Sequence, residues 1–93
     1  MRKSIHTPEY TFVRDILRAV RREAGFSQRH IASRLRVTPS WIAKVETGER
    51  RVDIVEFMRI LHACGANVSA TLAQVAEVVP VANESPPQKR RRD

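Results

Sequence analysis

The chain lacks most of the features on which a disulfide-stabilised or membrane protein depends. Its 93 residues contain one cysteine, Cys64, so no internal disulfide can form and a reducing compartment is expected. Cys64 lies in an apolar helical pattern, which favours a buried small side chain over a reactive thiol. No apolar run approaches the ~20 residues that span a bilayer, and the first residues lack the apolar stretch of a secretory signal. These absences predict a small cytoplasmic protein with no membrane association.

Groups that catalyse reactions or bind metals are also scarce. The three histidines, His6, His30 and His62, are dispersed, and no Ser/His/Asp or Cys/His arrangement accompanies them. His62 and Cys64 together supply at most two of the four ligands that a structural zinc ion needs. The chain has three glycines and no glycine-rich phosphate-binding loop. We therefore expect neither catalysis nor a bound metal ion or cofactor.

Acidic residues are the scarcer charged type. Seventeen lysines and arginines accompany ten aspartates and glutamates, which gives a formal net charge of +7 and a pI near 11.0. The excess is concentrated between residues 27 and 51, where six basic residues accompany two acidic ones. The basic residues are Arg29, Arg34, Arg36, Lys44, Arg50 and Arg51, and the acidic residues are Glu46 and Glu49. This excess predicts a polyanionic partner, either a specific nucleic-acid site or nucleic acid in general.

Residues 27–48 have the pattern of two short helices joined by a tight turn. Ser27 is a good N-cap for the first helix. Thr38 followed by Pro39 starts a second helix, because proline suits the first helical position, and Gly48 is placed to end it. The apolar positions of the two helices are Ile31, Ala32, Leu35, Ile42 and Val45. Such a unit can present its second helix to the major groove of DNA.

Two further helices have clear start signals. Thr7 and Pro8 repeat the combination of a cap and a proline, and a helical apolar pattern then continues until Gly25. Asp53 and Glu56 form a capping box, in which each side chain accepts a hydrogen bond from the other residue's backbone N–H. These signals predict one helix before the two-helix unit and another after it.

The C-terminal third is less regular. Apolar spacing predicts a last helix over residues 68–79, with a short strand over residues 68–75 as the alternative. Residues 80–93 contain adjacent prolines and a basic run and cannot bury enough apolar surface to order themselves, so we expect a flexible basic tail. Residues 1–6 are expected to form a loose basic arm. The predicted domain is therefore residues 7–79.

The two-helix unit also resembles a known family in its residue types. The matching residues are Gly25, Phe26, Ser27, Gln28, Ile31, Ala32, Leu35, Val37, Ile42, Glu46 and Gly48. They resemble the helix-turn-helix domain of phage repressor and Cro-like regulators, the XRE family, over about residues 10 to 79. The resemblance implies an all-α, five-helix lambda-repressor-like domain that binds operator DNA. Arg36 stands where the family generally has glycine, so either the turn differs or Arg36 accepts roughly 1 kcal/mol of left-handed strain.

The resemblance implies which residues of the second helix face DNA. They are Thr38, Pro39, Ser40, Trp41 and Lys44, which in similar repressors touch bases or flanking phosphates. Ser40 can pair with several base edges, whereas Lys44 can donate to guanine O6 or N7 or else to a phosphate. The ring of Trp41 either packs on a thymine methyl or sugar edge or folds back over the core.

Phosphate contacts are expected on both sides of this helix. The resemblance implies that Gln28 and the N-terminus of its helix meet a backbone phosphate, which oriented N–H groups favour. An ordinary surface glutamine is the alternative. Arg50 and Arg51 lie in the loop that follows the backbone in similar proteins, and Arg29 is a further phosphate candidate.

Glu46 is expected to have a structural role. It lies beside the apolar face of the second helix, among cations. In similar repressors a glutamate at this position pairs with an arginine of the first helix, and matching positions selects Arg21. Such a pair would set the angle of the second helix.

These observations predict a sequence-specific transcriptional regulator, a repressor that binds a two-fold operator in double-stranded DNA as a homodimer. The dimer contact is expected at Leu72, Val75 and Val79, the apolar residues of the last helix outside the two-helix unit. One alternative is an antitoxin-type module that binds a toxin partner and represses its own operon. Another is a basic nucleic-acid binder without sequence preference. The expected location is the cytoplasm, with nucleoid association when the protein is bound to DNA.

Overall fold

The computed structural model describes residues 7–79, which form five α-helices. The helices are α1 Pro8–Glu23, α2 Gln28–Leu35, α3 Pro39–Thr47, α4 Ile54–Ala63 and α5 Val68–Val78. This part of the chain contains no strand, so the helix expected after residue 67 is confirmed and the alternative strand is not formed. The predicted all-α, five-helix fold is confirmed. The basic arm and the flexible tail lie outside the described residues.

Each helix begins at a polar side chain that caps its N-terminus. The cap accepts a hydrogen bond from the backbone N–H three residues later, which has no partner within the helix, and contributes about 1 kcal/mol. The capping residues are Thr7, Ser27, Thr38, Asp53 and Asn67. The predicted capping box is present: Glu56 N–H donates to Asp53 Oδ1 at 2.7 Å, and Asp53 N–H donates to Glu56 Oε1 at 3.0 Å.

The turn between α2 and α3 places Arg36 in a left-handed conformation, with φ 61° and ψ 44°. Among residues 7–79 it is the one non-glycine residue with positive φ. Its N–H donates to Ser33 O at 3.2 Å, and Val37 N–H donates to Ala32 O at 3.0 Å, which closes the end of α2. The turn therefore has the geometry that glycine usually provides, and Arg36 accepts the strain of roughly 1 kcal/mol.

Two apolar clusters hold the helices together. The larger contains Leu17, Val45, Phe57, Ile60 and Leu61, and the smaller contains Ile31, Ala32 and Ile42. Leu35, Trp41 and Cys64 pack against both clusters and so join them. Cys64 is half-buried, and burial raises the pKa of its thiol, so the thiol stays protonated and packs as a small apolar group. The apolar face of α3 therefore lies against α1, α2 and α4.

The apolar residues of α5 are only partly available for a dimer contact. Leu72 and Val75 are half-buried and pack on the larger cluster, because α5 lies against α1 and α4. Only part of each side chain therefore remains exposed, and their role in a dimer contact stays a prediction. Val79 is 47% exposed, while Ile54 and Val55 at the start of α4 are 60% and 52% exposed. The largest exposed apolar side chains in the described part of the chain thus lie at the ends of α4 and α5.

Candidate nucleic-acid interface

The outer face of α3 presents four of the five residues expected to face DNA. Thr38, Pro39, Ser40 and Lys44 are all exposed. The Thr38 Oγ1 accepts a hydrogen bond from Trp41 N–H at 3.1 Å, which leaves its hydroxyl proton available for a further partner. Ser40 and Lys44 are four residues apart and therefore lie on one side of the helix. This side offers short hydroxyl groups near the N-terminus and a long cation one turn later.

Trp41 has a different position. Its ring is half-buried and packs against both apolar clusters, while the Arg50 guanidinium carbon lies 4.8 Å from the ring centroid. The ring thus folds back over the core, which is the second of the two alternatives for this residue. A cation covers one face of the ring, which favours a packing role, and the contact with a thymine methyl or sugar stays a prediction.

Thr47 belongs to the same outer face, although no motif in the sequence points to it. It is exposed, and its Oγ1 donates to Lys44 O at 3.3 Å. Positions 40, 44 and 47 follow the spacing of a helix face, so the helical period is the signal that selects Thr47. The candidate interface therefore extends to the last turn of α3.

The buried side of α3 is tied to α1 by the expected ion pair. Arg21 Nε donates to Glu46 Oε2 at 2.6 Å, and Arg21 Nη2 donates to Glu46 Oε1 at 3.0 Å. Arg21 Nη1 donates to Phe26 O at 2.8 Å, so this guanidinium also holds the loop between α1 and α2. Such a two-pronged contact fixes orientation as well as distance. A small void of about 10 Å³, lined by both charged side chains and by apolar residues that include Ile31 and Ile42, adjoins the pair.

Gln28 joins this network, which the sequence does not reveal. Its Nε2 donates to Glu46 Oε1 at 2.9 Å, so it is neither an ordinary surface glutamine nor a side chain held entirely toward DNA. Burial alone would raise the pKa of Glu46, but hydrogen bonds from Arg21 and Gln28, together with the charges of Arg21 and Arg18, hold it below its ordinary value. The hydrogen bond to Glu46 raises the pKa of Arg21, so both groups remain charged. Glu46 thus connects α1, α2 and α3.

Two further arginines of α1 contact the end of α3. Arg14 Nη1 donates to Glu46 O at 3.1 Å, and Arg18 Nη2 donates to the same oxygen at 3.5 Å. Positive charge at this end is favourable because the last carbonyls of a helix carry partial negative charge. Gly48 closes α3 with φ +87°, and a Cβ there would lie 3.0 Å from Arg14 Nε. The backbone conformation therefore favours glycine at this position, and a larger residue would also have to displace the Arg14 side chain by a few tenths of an ångström.

The loop after α3 is held by Arg50. Its Nη2 donates to Glu56 Oε2 at 2.9 Å, and its guanidinium covers Trp41. The pair is partly exposed, so water and salt weaken it. Arg50 is therefore held against Trp41 and Glu56 and is not extended toward solvent.

Arg51 and Arg29 lie on either side of α3 in the chain. Arg51 is exposed, and its guanidinium carbon lies 5.0 Å from the ring centroid of Tyr10. The Tyr10 hydroxyl accepts a hydrogen bond from Val52 N–H at 3.0 Å, so the first helix also supports this loop. Arg29 is exposed on the first turn of α2. The structure thus presents cations at the start of α2 and after α3.

Other kinds of site have little support among residues 7–79. In that range no group of three or more histidine, cysteine, aspartate or glutamate side chains is arranged to hold a metal ion. None of the helices described is long and apolar enough to cross a membrane.

Known proteins share this architecture. Residues 13–75 match the family described as "Helix-turn-helix domain". A solved XRE-family like protein from Pseudomonas syringae pv. tomato is 34% identical, with a TM-score of 0.73, and the match covers 82% of this chain and 93% of that one. Two structures of the clp gene regulator ClgR from Corynebacterium glutamicum are 25% and 27% identical, with TM-scores of 0.67 and 0.66. The matches cover 82% and 76% of this chain and 99% and 76% of those chains. No curated protein sequence matches.

The fold, the exposed face of α3 and these similarities define a DNA-binding transcriptional regulator of the helix-turn-helix class. The family match spans most of the described residues, and the Pseudomonas protein is similar over nearly its whole length. The chain belongs to the XRE family of helix-turn-helix regulators.

Proposed function

We propose that the protein binds a specific operator sequence through α3 and represses transcription from it. The observation that carries this proposal is the two-sided environment of α3. Its inner side is anchored by Arg21 and Glu46, while Ser40, Lys44 and Thr47 project outward. A helix presented in this way fits the major groove, where each base pair shows a distinct pattern of donors and acceptors. Repression follows where the operator overlaps a site at which transcription begins.

Within this proposal, the outer residues of α3 read bases. Lys44 donates to O6 or N7 of guanine, because it is the long cation on this face. Ser40 is short and accepts or donates, so it discriminates less. Thr38 and Pro39 contact the groove edge near the helix N-terminus, and Thr47 reaches the edge at the other end.

The surrounding cations hold the DNA backbone. Arg29 and Arg51 are exposed, and Arg50 exchanges Glu56 for a phosphate when DNA is present. Gln28 has a second amide proton beyond the one given to Glu46, so it can still donate to a phosphate at the N-terminus of α2. These contacts set the register of the protein on the duplex without reading its sequence.

A two-fold operator requires two copies of the chain, with half-sites one helical turn apart. We place the dimer contact at Val79 and at the start of α4, where Ile54 and Val55 are exposed. Leu72 and Val75 are half-buried, so only the exposed part of each side chain contributes to this dimer contact. In sedimentation equilibrium, Val79→Asp or Val55→Asp should shift a dimer toward monomer. An unchanged molecular mass for both variants would place the contact elsewhere.

Selection of bound duplexes from a random pool tests the proposed function directly. A two-fold consensus should emerge, and affinity for it should depend steeply on salt. If about five phosphates are neutralised, log K should fall against log salt with a slope of about −4 to −5. Equal affinity for selected and random duplexes at matched salt would show a non-specific binder, and a slope near zero would exclude DNA binding by this surface.

A further inference from the structure

A second, open surface depression lies between the end of α2 and the second half of α4. It has a volume of about 550 Å³ and is lined by Arg34, Leu35, Arg36, Arg59, His62 and Ala63. The first three residues come from the end of α2 and its turn, and the others come from the second half of α4. No residue of α3 lines it, so we call it the α2–α4 groove and treat it separately from the DNA-facing surface.

The cations of the α2–α4 groove have no acidic partner within residues 7–79. Arg36 and Arg59 make no ion pair there, and Arg34 lies over the Phe26 ring, 5.5 Å from its centroid. The nearby carboxylate of Glu56 is already engaged, because its two oxygens accept hydrogen bonds from Asp53 N–H and Arg50. Like charges that face one concavity repel each other, and an anionic partner would relieve that repulsion.

Arg36 gives a second, independent indication. Its left-handed backbone is a position that glycine would occupy without strain, yet the chain has an arginine there. The chain therefore accepts roughly 1 kcal/mol of strain at a residue whose side chain lines the groove. Strained residues of this kind concentrate at functional sites.

The shape and lining of the groove select the chemical class of its partner. Leu35 and Ala63 provide an apolar floor beneath a cationic rim. Leu35 and Ala63 are half-buried while the charged lining residues are exposed, so an apolar side chain of a bound segment can lie between the cations. The C-terminal run at residues 89–92 is basic and would be repelled.

We propose that the α2–α4 groove docks an acidic segment of a partner protein, with carboxylates on the arginines and an apolar side chain on the Leu35–Ala63 floor. Arginine suits a carboxylate partner because its planar guanidinium group can donate two parallel hydrogen bonds to the two carboxylate oxygens. The outer face of α3 stays available, so the partner and DNA can be bound at the same time. The regulator would then bring an acidic protein to its DNA site.

The test uses the full chain and two fluorescein-labelled peptides, one of Glu-Glu-Leu repeats and one of Gln-Gln-Leu repeats. Fluorescence anisotropy at low salt should detect binding of the acidic peptide only. Arg36→Gly and Arg59→Ala should each weaken it about two- to fivefold, as expected for exposed charge pairs. Arg22→Ala removes the same charge from an exposed position on α1 and is the matched control. Arg36→Gly relieves backbone strain, so its loss of binding cannot come from unfolding.

A parallel titration with a short random-sequence duplex separates the two surfaces. Arg36→Gly and Arg59→Ala should change duplex affinity no more than Arg22→Ala does. The proposal is overturned if both peptides bind alike, if Arg22→Ala weakens the acidic peptide equally, or if the groove variants impair the duplex and not the peptide. The last result would assign the groove to DNA. Because the peptide titration contains no DNA, its outcome does not depend on whether the proposed operator binding is correct.

Discussion

Two of the three arginine–glutamate pairs around α3 have clearly different environments. Arg21 and Glu46 meet in the interior, where the Glu46 side chain is 4% exposed and accepts hydrogen bonds from two nitrogens of Arg21. Arg50 and Glu56 meet near the surface, where the Glu56 side chain is 27% exposed and accepts one hydrogen bond from Arg50. The same two functional groups therefore occupy a buried network on one side of α3 and a partly hydrated contact on the other.

This contrast shows that the role of an arginine in this domain depends on how deeply its ion pair is buried. A buried pair is costly to break because the remaining charge has no water, so Arg21 and Glu46 are suited to holding α3 in one orientation. A partly exposed pair is worth little and can exchange its anion. In the proposed complex with DNA, Arg50 can therefore leave Glu56 for a phosphate.

Breaking the buried pair should have the largest effect. Arg21→Ala or Glu46→Ala should lower the free energy of unfolding by about 3–5 kcal/mol, because each removes the principal partner of a buried charge. That corresponds to a fall in Tm of at least about 12 °C for a domain of this size. The double variant should be less destabilised than the sum of the two single losses.

Urea denaturation of the three variants measures this coupling. Arg22→Ala, an exposed residue on the same helix, is the control and should leave stability nearly unchanged. Additive losses in the double variant would mean that the two side chains do not interact in solution.

Acid should weaken the buried pair with a defined sign. The pKa of Glu46 in the folded chain lies below its ordinary value of 4.5, so the folded state binds this proton less readily than the unfolded state. The resulting stability is fully present above pH 4.5 and is lost as pH falls through the folded pKa. In urea titrations across pH, the advantage of the wild type over Glu46→Gln should therefore shrink in acid. A difference that stays constant below pH 4.5 would contradict this assignment.

The exposed pair should have the smallest effect on stability but a clear effect on DNA. Arg50→Ala should cost only about 0.2–1 kcal/mol of stability. It should weaken all duplexes alike and reduce the salt slope by about 1.

Lys44→Ala, by contrast, should change which sequences are preferred, with about 1–3 kcal/mol of discrimination lost at one base pair. Measuring how Arg50→Ala and Lys44→Ala bind a duplex library at two salt concentrations distinguishes a phosphate contact from a base contact. Uniform loss in Lys44→Ala would make that lysine a phosphate contact.

The helices could be predicted from the sequence because their boundaries are set locally. A cap such as Ser27 or Thr38 accepts a hydrogen bond from a backbone N–H only three residues away. The same holds for the capping box of Asp53 and Glu56. Such signals act before any tertiary contact forms, so the order of helices and the position of the turn at Arg36 are readable along the chain.

Only part of the candidate site could be predicted from the sequence. The exposure of Ser40 and Lys44 follows from the helical period and the apolar positions of α3. Thr47 follows the same period but carries no motif. The inward packing of Trp41 and the bond from Gln28 to Glu46 depend on the approach of other helices, which no spacing within α3 specifies.

Local signals along the chain are sufficient to specify four capped helices, the position of a turn without glycine and a basic excess around α3, whereas the last helix was predicted with a strand as its alternative. The division of roles among the arginines depends instead on how the helices pack. Arg21 reaches a carboxylate 25 residues away, Arg50 reaches one 6 residues away, and Arg36 reaches none among the described residues. Caps form within one helical turn, whereas burial and pairing of a long side chain depend on which helices come together. Composition supplies the charge, and packing determines whether that charge holds the domain or remains available to a partner.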